Sequence, residues 1–166
     1  MYIQLNNYII KLQILNPIKY EFHRNHSTHL ATIDMCDNIA KSLDGGKAVF
    51  AIFIDLSKAF DTINHNILLD KLNSLGIPGI ALQWFKSYLT LRTQYINLNN
   101  INSTNKLISC LVPQGSILGP LQFLLCINDM SKCSNLFYFI LLADDTDIFL
   151  SDNNLNNLIA NTEFIH

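Results

Sequence analysis

Charge is scarce in this sequence. Charged residues fill 14% of its 166 positions, where about 25% is usual for a soluble domain. Disorder is excluded, since it needs low hydrophobicity and high net charge, whereas hydrophobic residues here reach 49%. A basic excess is missing too: 11 Lys and Arg face 13 Asp and Glu, for a net charge of −2. A nucleic-acid module shows the opposite balance, so composition alone does not favour a polynucleotide partner. No apolar run reaches the ~18 residues of a membrane-spanning helix. The candidates at 48–54 and 136–143 are strand length and end in acidic residues. Residues 1–15 are apolar but broken by Asn6, Asn7, Lys11 and Gln13. They lack the basic start and clean apolar core of a signal peptide.

No CxxC pair joins Cys36, Cys110, Cys126 and Cys133. Without a secretory signal, reduced and mostly buried thiols are expected. His23, His26 and His29 recur at every third position, but zinc wants four ligands at short paired spacings. No cysteine lies near enough in sequence to complete such a set, so surface or loop histidines are expected. Asparagine, by contrast, is plentiful. Its clusters at 97–105 and 153–161 favour turns and helix caps.

Apolar positions Leu30, Ile33, Ile39, Ala40 and Leu43 recur at helical spacing and predict a helix over 27–43. The turn Asp44-Gly45-Gly46-Lys47 closes it. Residues 48–54 form a continuous apolar run, read as a strand buried on both faces, which ends on Asp55. Helices are expected over 57–61, over 66–75 with Gly76 as its stop, and over 81–91. Trp84 reads as a packing anchor of that last helix, and Lys58 and Lys86 as solvated lysines. Two strands, 95–98 and 106–111, flank an Asn-rich turn. Pro113-Gln114-Gly115-Ser116 is a loop before a helix over 117–130, whose Pro120 is tolerated in a first turn. Strands at 136–142 and 146–150 enclose Ala143-Asp144-Asp145 as a tight hairpin, and a last helix starts at Asn153. No repeat or linker divides the chain, so one domain is expected.

The chemistry lies in the carboxylates. Asp55 ends an otherwise apolar strand, and Asp144-Asp145 sit at a hairpin tip between apolar strands. Clustering three carboxylates is costly unless a cation is shared among them. Mg²⁺ suits such oxygen donors and leaves positions for water and phosphate. Two such ions form the in-line site of polymerases and nucleases. The plain alternative is that all three aspartates face solvent at strand ends.

These segments carry a resemblance. Phe53-Ile54-Asp55-Leu56-Ser57-Lys58-Ala59-Phe60-Asp61, followed by Asn64-His65, resembles the first catalytic motif of reverse transcriptases from non-LTR (LINE or jockey-like) retrotransposons. Val112-Pro113-Gln114-Gly115-Ser116-Ile117-Leu118-Gly119-Pro120 resembles that family's nucleotide-binding loop and following helix. Ala143-Asp144-Asp145-Thr146 resembles its acidic hairpin. Asn25-His26-Ser27-Thr28, the run Trp84 to Leu89 and Ile127-Asn128-Asp129 resemble its connecting segments. The likeness runs from about residue 20 to 166, in the expected order, leaving 1–19 as a poorly matched N-terminal segment. Group II intron and telomerase-type polymerases are related alternatives, and Ser-Lys-Ala-Phe-Asp favours the LINE-like branch.

The resemblance implies an α+β fold: a right-hand polymerase palm with a small antiparallel sheet packed on helices, incomplete fingers and no thumb. It implies RNA-directed DNA polymerase activity, with an RNA template, a DNA primer and deoxynucleoside triphosphates as partners. Asp55 and Asp144 would hold two Mg²⁺ ions, or Mn²⁺ in their place. Asp145 would support them, and the Leu56 carbonyl would contact one metal. Phe60 would stand against the nucleotide sugar and exclude a 2′-hydroxyl. Gln114 would hydrogen-bond the incoming nucleotide, and Gly115 would let the backbone approach it. An intracellular location, nuclear or cytoplasmic, and no membrane association are implied as well. A catalytically inactive, palm-derived binding protein is the alternative outcome.

The sequence departs from the family's pattern at Leu111, where glycine is usual, at Leu142, where an aromatic residue is usual, and around 21–24. The chain stops soon after Asp145, which implies a slice of a larger polymerase that keeps its metal site without processive synthesis. Its charge of −2 then reflects aspartates kept and basic neighbours lost. Apolar surface exposed by the missing parts predicts poor solubility.

Overall fold

The computed structural model describes residues 1–16, 18–20, 27–113, 115–142 and 144–162. In chain order it forms α1 (Tyr2–Lys11), α2 (Thr28–Asp44), β1 (Ala48–Asp55), α3 (His65–Ser74) and α4 (Gly79–Leu89). Four two-residue strands follow: β2 (Thr93–Gln94), β3 (Asn97–Leu98), β4 (Ile101–Asn102) and β5 (Lys106–Leu107). Then come α5 (Gly119–Cys126), a 3₁₀ turn at Met130–Cys133, β6 (Tyr138–Leu142), β7 (Asp145–Asp152) and α6 (Leu155–Thr162). The architecture mixes helices with small antiparallel sheets, as the α+β expectation requires. Among the described residues, no helix is long and apolar enough to cross a membrane.

The chain divides into two compact units, although no linker or repeat separates them in the sequence. One joins Met1–Ile14 to Lys58–Ile127, and the other joins Leu15–Ser57 to Asn128–His166. The second holds the larger sheet, in the order β1-β7-β6, antiparallel throughout. Ala31 of α2 packs on Ile140 and Phe149, with Ala51 and Tyr138 beside them. Alternation along the strands puts Phe139, Leu141 and Leu150, all buried, on the opposite face. The expected strand is present, but burial on both faces is not: Phe53 of β1 is 65% exposed. β1 is an edge strand, so neighbours cover less of it.

Helix α2 starts where Ser27 accepts from the Leu30 N–H, an N-cap that satisfies one orphan donor. It is anchored to β6 through a carboxylate. Asp34 accepts from the Tyr20 hydroxyl at 2.5 Å and from the Tyr138 hydroxyl. These bonds, from Tyr138 and then Tyr20, hold the Asp34 carboxyl below the usual range. Burial and then Asp34 push the Tyr20 hydroxyl up to about 12, and push that of Tyr138 up as well.

In the other unit, α3 packs on α4 and α5 and buries Leu68, Leu69 and Leu72. Asn64 caps α3 by accepting from the Asn66 and Ile67 N–H groups. The Tyr8 hydroxyl of α1 donates to the carbonyls of Leu75 and Gly76, 3.0 Å from each. Gly76 is needed there: its φ is +82°, and a Cβ would sit 2.6 Å from the Tyr8 oxygen. Several expectations are corrected. Residues 57–61 form a turn, because Lys58 takes a positive φ that ends helical geometry. The helix predicted over 117–130 is confined to Gly119–Cys126. The strand expected over 106–111 pairs only at Lys106–Leu107. All four cysteines are free as expected, but none is buried: Cys36 and Cys133 are exposed. His29 is exposed on α2, while His23 and His26 lie outside the described residues.

Two predictions follow from these anchors. Asp34→Asn keeps one acceptor oxygen, turns the other into a donor and loses the charge, and is expected to cost about 1–2 kcal/mol at pH 7. A depressed carboxyl pKa contributes stability fully above the unfolded value and loses it as pH falls through the folded one. The cost should therefore shrink below about pH 4, as read by urea midpoints at pH 7 and pH 3. Gln122 of α5 is fully buried, and neither end of its amide has a partner among the described residues. Gln122→Leu should stabilise the chain by about 1–2 kcal/mol in the same assay.

Candidate active site

The Asp55 strand and the acidic hairpin meet within one unit. Asp55, the last residue of β1, is the register partner of Asp145, the first residue of β7. The Leu56 N–H donates to the Asp144 carbonyl at 3.2 Å. Directly opposed antiparallel residues place their Cβ atoms about 4.5–5.5 Å apart, so Asp55 and Asp145 are neighbours. Asp144 occupies the turn, half-buried, while Asp55 and Asp145 are exposed. The hairpin tip is thus less acidic than expected, since Asp145 already belongs to the paired strand. Ala143 lies outside the described residues.

Sequence reasoning missed Asp147. It stands two residues on from Asp145, on the same face of β7 and opposite Phe53 and Ile140. Burial, and then the Asp145 charge, push its carboxyl above the usual range. The period of two along Asp145-Thr146-Asp147 carries that signal, because alternate strand residues share a face. Among the described residues, no three His, Cys, Asp or Glu side chains converge into a metal cage. The donor set still suits a hard cation of the Mg²⁺ type, which binds through one or two carboxylates and is completed by water and phosphate.

Phe60 and Gly115 belong to the other unit. They line an open cleft of about 330 Å³ together with Pro113, Ser116 and Ile117. The Phe60 ring packs at 4.7 Å, centroid to centroid, on Phe123 of α5. Gly115 has φ +75° and is exposed, a conformation that glycine adopts without strain. Gln114 lies outside the described residues. The stretch leading to this cleft is tightly held. The Val112 N–H donates to the Phe60 carbonyl and the Leu111 N–H to the Ile63 carbonyl, each at 3.0 Å. Buried His65 donates from Nε2 to the Leu111 carbonyl at 2.7 Å. These bonds fix Leu111 at φ +89°, where a Cβ is strained. The geometry accounts for the glycine usual in the resembling motif.

The expected packing role of Trp84 holds only in part. It makes an edge contact with Phe85 at 5.2 Å and stacks on Tyr88, yet remains 38% exposed.

One unit carries a small antiparallel sheet with opposed aspartates at one end, and the other carries helices and a Gly-bearing loop, an arrangement of the α+β class. The sequence profile described as "Reverse transcriptase (RNA-dependent DNA polymerase)" matches residues 1–163, and the chain belongs to that family. It is 29% identical over 161 residues to the probable RNA-directed DNA polymerase from transposon BS of Drosophila melanogaster, covering 92% of this chain and 18% of that protein. It is 30% identical over 112 residues to the RNA-directed DNA polymerase from mobile element jockey of Drosophila melanogaster, covering 68% and 12%. The chain therefore spans less than a fifth of the curated relatives it matches. Among solved structures, telomerase from Candida albicans in complex with a TWJ fragment of telomeric RNA shares the fold. The TM-score is 0.59 at 15% identity, over 95% of this chain and 31% of that one. The non-LTR element relatives agree with the LINE-like resemblance.

The strain at Leu111 is testable. Leu111→Val places a β-branched residue at positive φ and should cost about 1–2 kcal/mol, whereas Leu111→Gly should not destabilise. Denaturant midpoints of the two variants distinguish these outcomes.

Proposed function

We propose that this chain carries the palm, with part of the fingers, of an RNA-directed DNA polymerase of a non-LTR retrotransposon. The observation that carries the reading is the Asp55–Asp145 register, with the Leu56 N–H on the Asp144 carbonyl. It brings two motifs, 90 residues apart in sequence, to one end of one sheet. Family membership and the non-LTR relatives support it.

In this reading Asp55 and Asp144 would hold two Mg²⁺ ions, with Asp145 supporting them and the Leu56 carbonyl as a further oxygen donor. Bound metal supplies a lowered pKa at the primer 3′-hydroxyl and neutralises triphosphate charge. The carboxylates orient that hydroxyl for in-line attack on a deoxynucleoside triphosphate. Phe60 bars a 2′-hydroxyl at the sugar. Gln114 hydrogen-bonds the nucleotide, and Gly115 lets the backbone approach it. Template RNA directs the choice of nucleotide by base pairing, and pyrophosphate leaves.

Binding of Mn²⁺, read from the loss of the free-ion EPR signal, is expected in the 166-residue chain. Asp55→Asn and Asp144→Asn should each weaken it at least tenfold. Primer extension on an RNA template should give short products that Asp144→Ala abolishes. Unchanged Mn²⁺ affinity in both Asn variants, or synthesis that survives Asp144→Ala, would overturn the assignment. The first outcome favours a non-catalytic descendant.

A further inference from the structure

The peptide that joins Leu111 to Val112 is held on both sides. Its N–H, from Val112, donates to the Phe60 carbonyl at 3.0 Å. Its carbonyl, from Leu111, accepts from His65 Nε2 at 2.7 Å. A carbonyl only accepts, so Nε2 carries a proton in either charge state of the imidazole. His65 opens α3 and is 4% exposed, and a buried polar group is costly unless it is bonded. The flanking backbone completes a short ribbon: the Leu111 N–H donates to the Ile63 carbonyl, and Asn64 bridges Cys110. Leu111 sits at φ +89°, a conformation that persists in a non-glycine residue only where its surroundings over-determine it. Just beyond Val112, Pro113 begins the wall of the cleft that Gly115, Ser116 and Phe60 also line. Phe60 thus gives its carbonyl to the held peptide and its ring to the cleft.

We propose that His65 is a positioning residue for the nucleotide: by holding Leu111 in its strained conformation, it sets Pro113 and Gly115 against Phe60 at the spacing a deoxynucleoside triphosphate requires. The inference rests on the polymerase reading and adds to it a residue that touches no substrate. Without the His65 bond, the peptide keeps its Phe60 anchor alone and Leu111 relaxes towards negative φ. Buried Val112 and the fixed φ of Pro113 leave little room to absorb that rotation. It therefore passes along the chain to the cleft wall. Packing alone does not call for an imidazole here, since an apolar ring fills the same volume without a buried donor.

The 166-residue chain is titrated into the deoxynucleoside triphosphate of 2-aminopurine with Mg²⁺, and binding is read from the anisotropy of that base. Urea midpoints are taken on each variant alongside. His65→Phe keeps a ring and drops the donor, and should weaken binding roughly tenfold, the equivalent of one hydrogen bond. His65→Gln, whose side-chain amide can still donate to the Leu111 carbonyl, should restore most of the affinity. Glycine takes a positive φ without strain, so Leu111→Gly added to His65→Phe should also restore most of it. In primer extension the same order should appear in KM for the nucleotide, with kcat little changed. Undiminished binding in His65→Phe, or a loss that neither His65→Gln nor Leu111→Gly repairs, would overturn the proposal and mark His65 as core packing. If His65→Phe does not fold, His65→Met, unbranched and without a donor, takes its place under the same outcomes. A wild-type chain that binds no triphosphate would sink the polymerase reading together with the proposal, and the Mn²⁺ titration shows whether the metal site fails as well.

Discussion

The register of β1 on β7 is the constraint from which the aspartate cluster follows. Asp55 and Asp145 do not attract each other; like charges directly opposed destabilise a strand pair. Burial elsewhere on the sheet holds them together. β7 is the central strand, with Phe149 against α2 on one face and Leu150 on the other. Each large apolar side chain removed from water contributes about 1.5–3 kcal/mol. A slip of one residue would exchange the faces and turn Asp145 and Asp147 towards the side of Phe139 and Leu141, both nearly inaccessible. Packing therefore fixes the pairing and leaves electrostatic stress at the sheet's end. Burial first, and the Asp145 charge second, raise the Asp147 carboxyl beside that end of the sheet.

The loop of the other unit shows the same economy at the backbone. Three hydrogen bonds converge on two residues, Leu111 and Val112, from Phe60, Ile63 and His65. Phe60 and His65 stand in the resembling first motif, and Leu111 precedes the nucleotide-binding motif. Part of each motif thus serves to hold the other in place. Leu111 accepts a strained φ because its N–H and carbonyl are both held; at +89° its side chain contributes cost rather than support.

Long-period features were legible in the sequence. The apolar run ending in Asp55, the Leu68-Leu69-Leu72 face and the Ser27 boundary of α2 all follow from local pattern. The helix limit at Cys126, whose carbonyl accepts from the Lys71 ammonium, and the turn at Lys58, which takes a positive φ, were not legible, because neither leaves a mark in the apolar pattern. The exposure of Phe53 was hidden because an apolar run does not say whether its strand lies at an edge. Of the candidate site, the approach of Asp55 to Asp144 and Asp145 was legible from their places at strand ends together with the motif resemblance. Asp147 escaped because its meaning depends on a register that no local pattern fixes.

Composition misled on charge for a related reason. A chain-wide balance averages over surfaces that act separately. Here one unit carries an excess of four positive charges and the other an excess of six negative ones. At physiological ionic strength charges interact over about 8 Å, so a ligand meets the local field and not the sum. Residues 71 to 128 hold no acid, whereas Asp55 stands opposite Asp145 and beside Asp144. Under the proposed function both fields have a use, since bound metals require anions and nucleic-acid strands require cations. A mean charge close to zero is therefore compatible with polynucleotide chemistry whenever the two signs are sorted along the chain, as they are here.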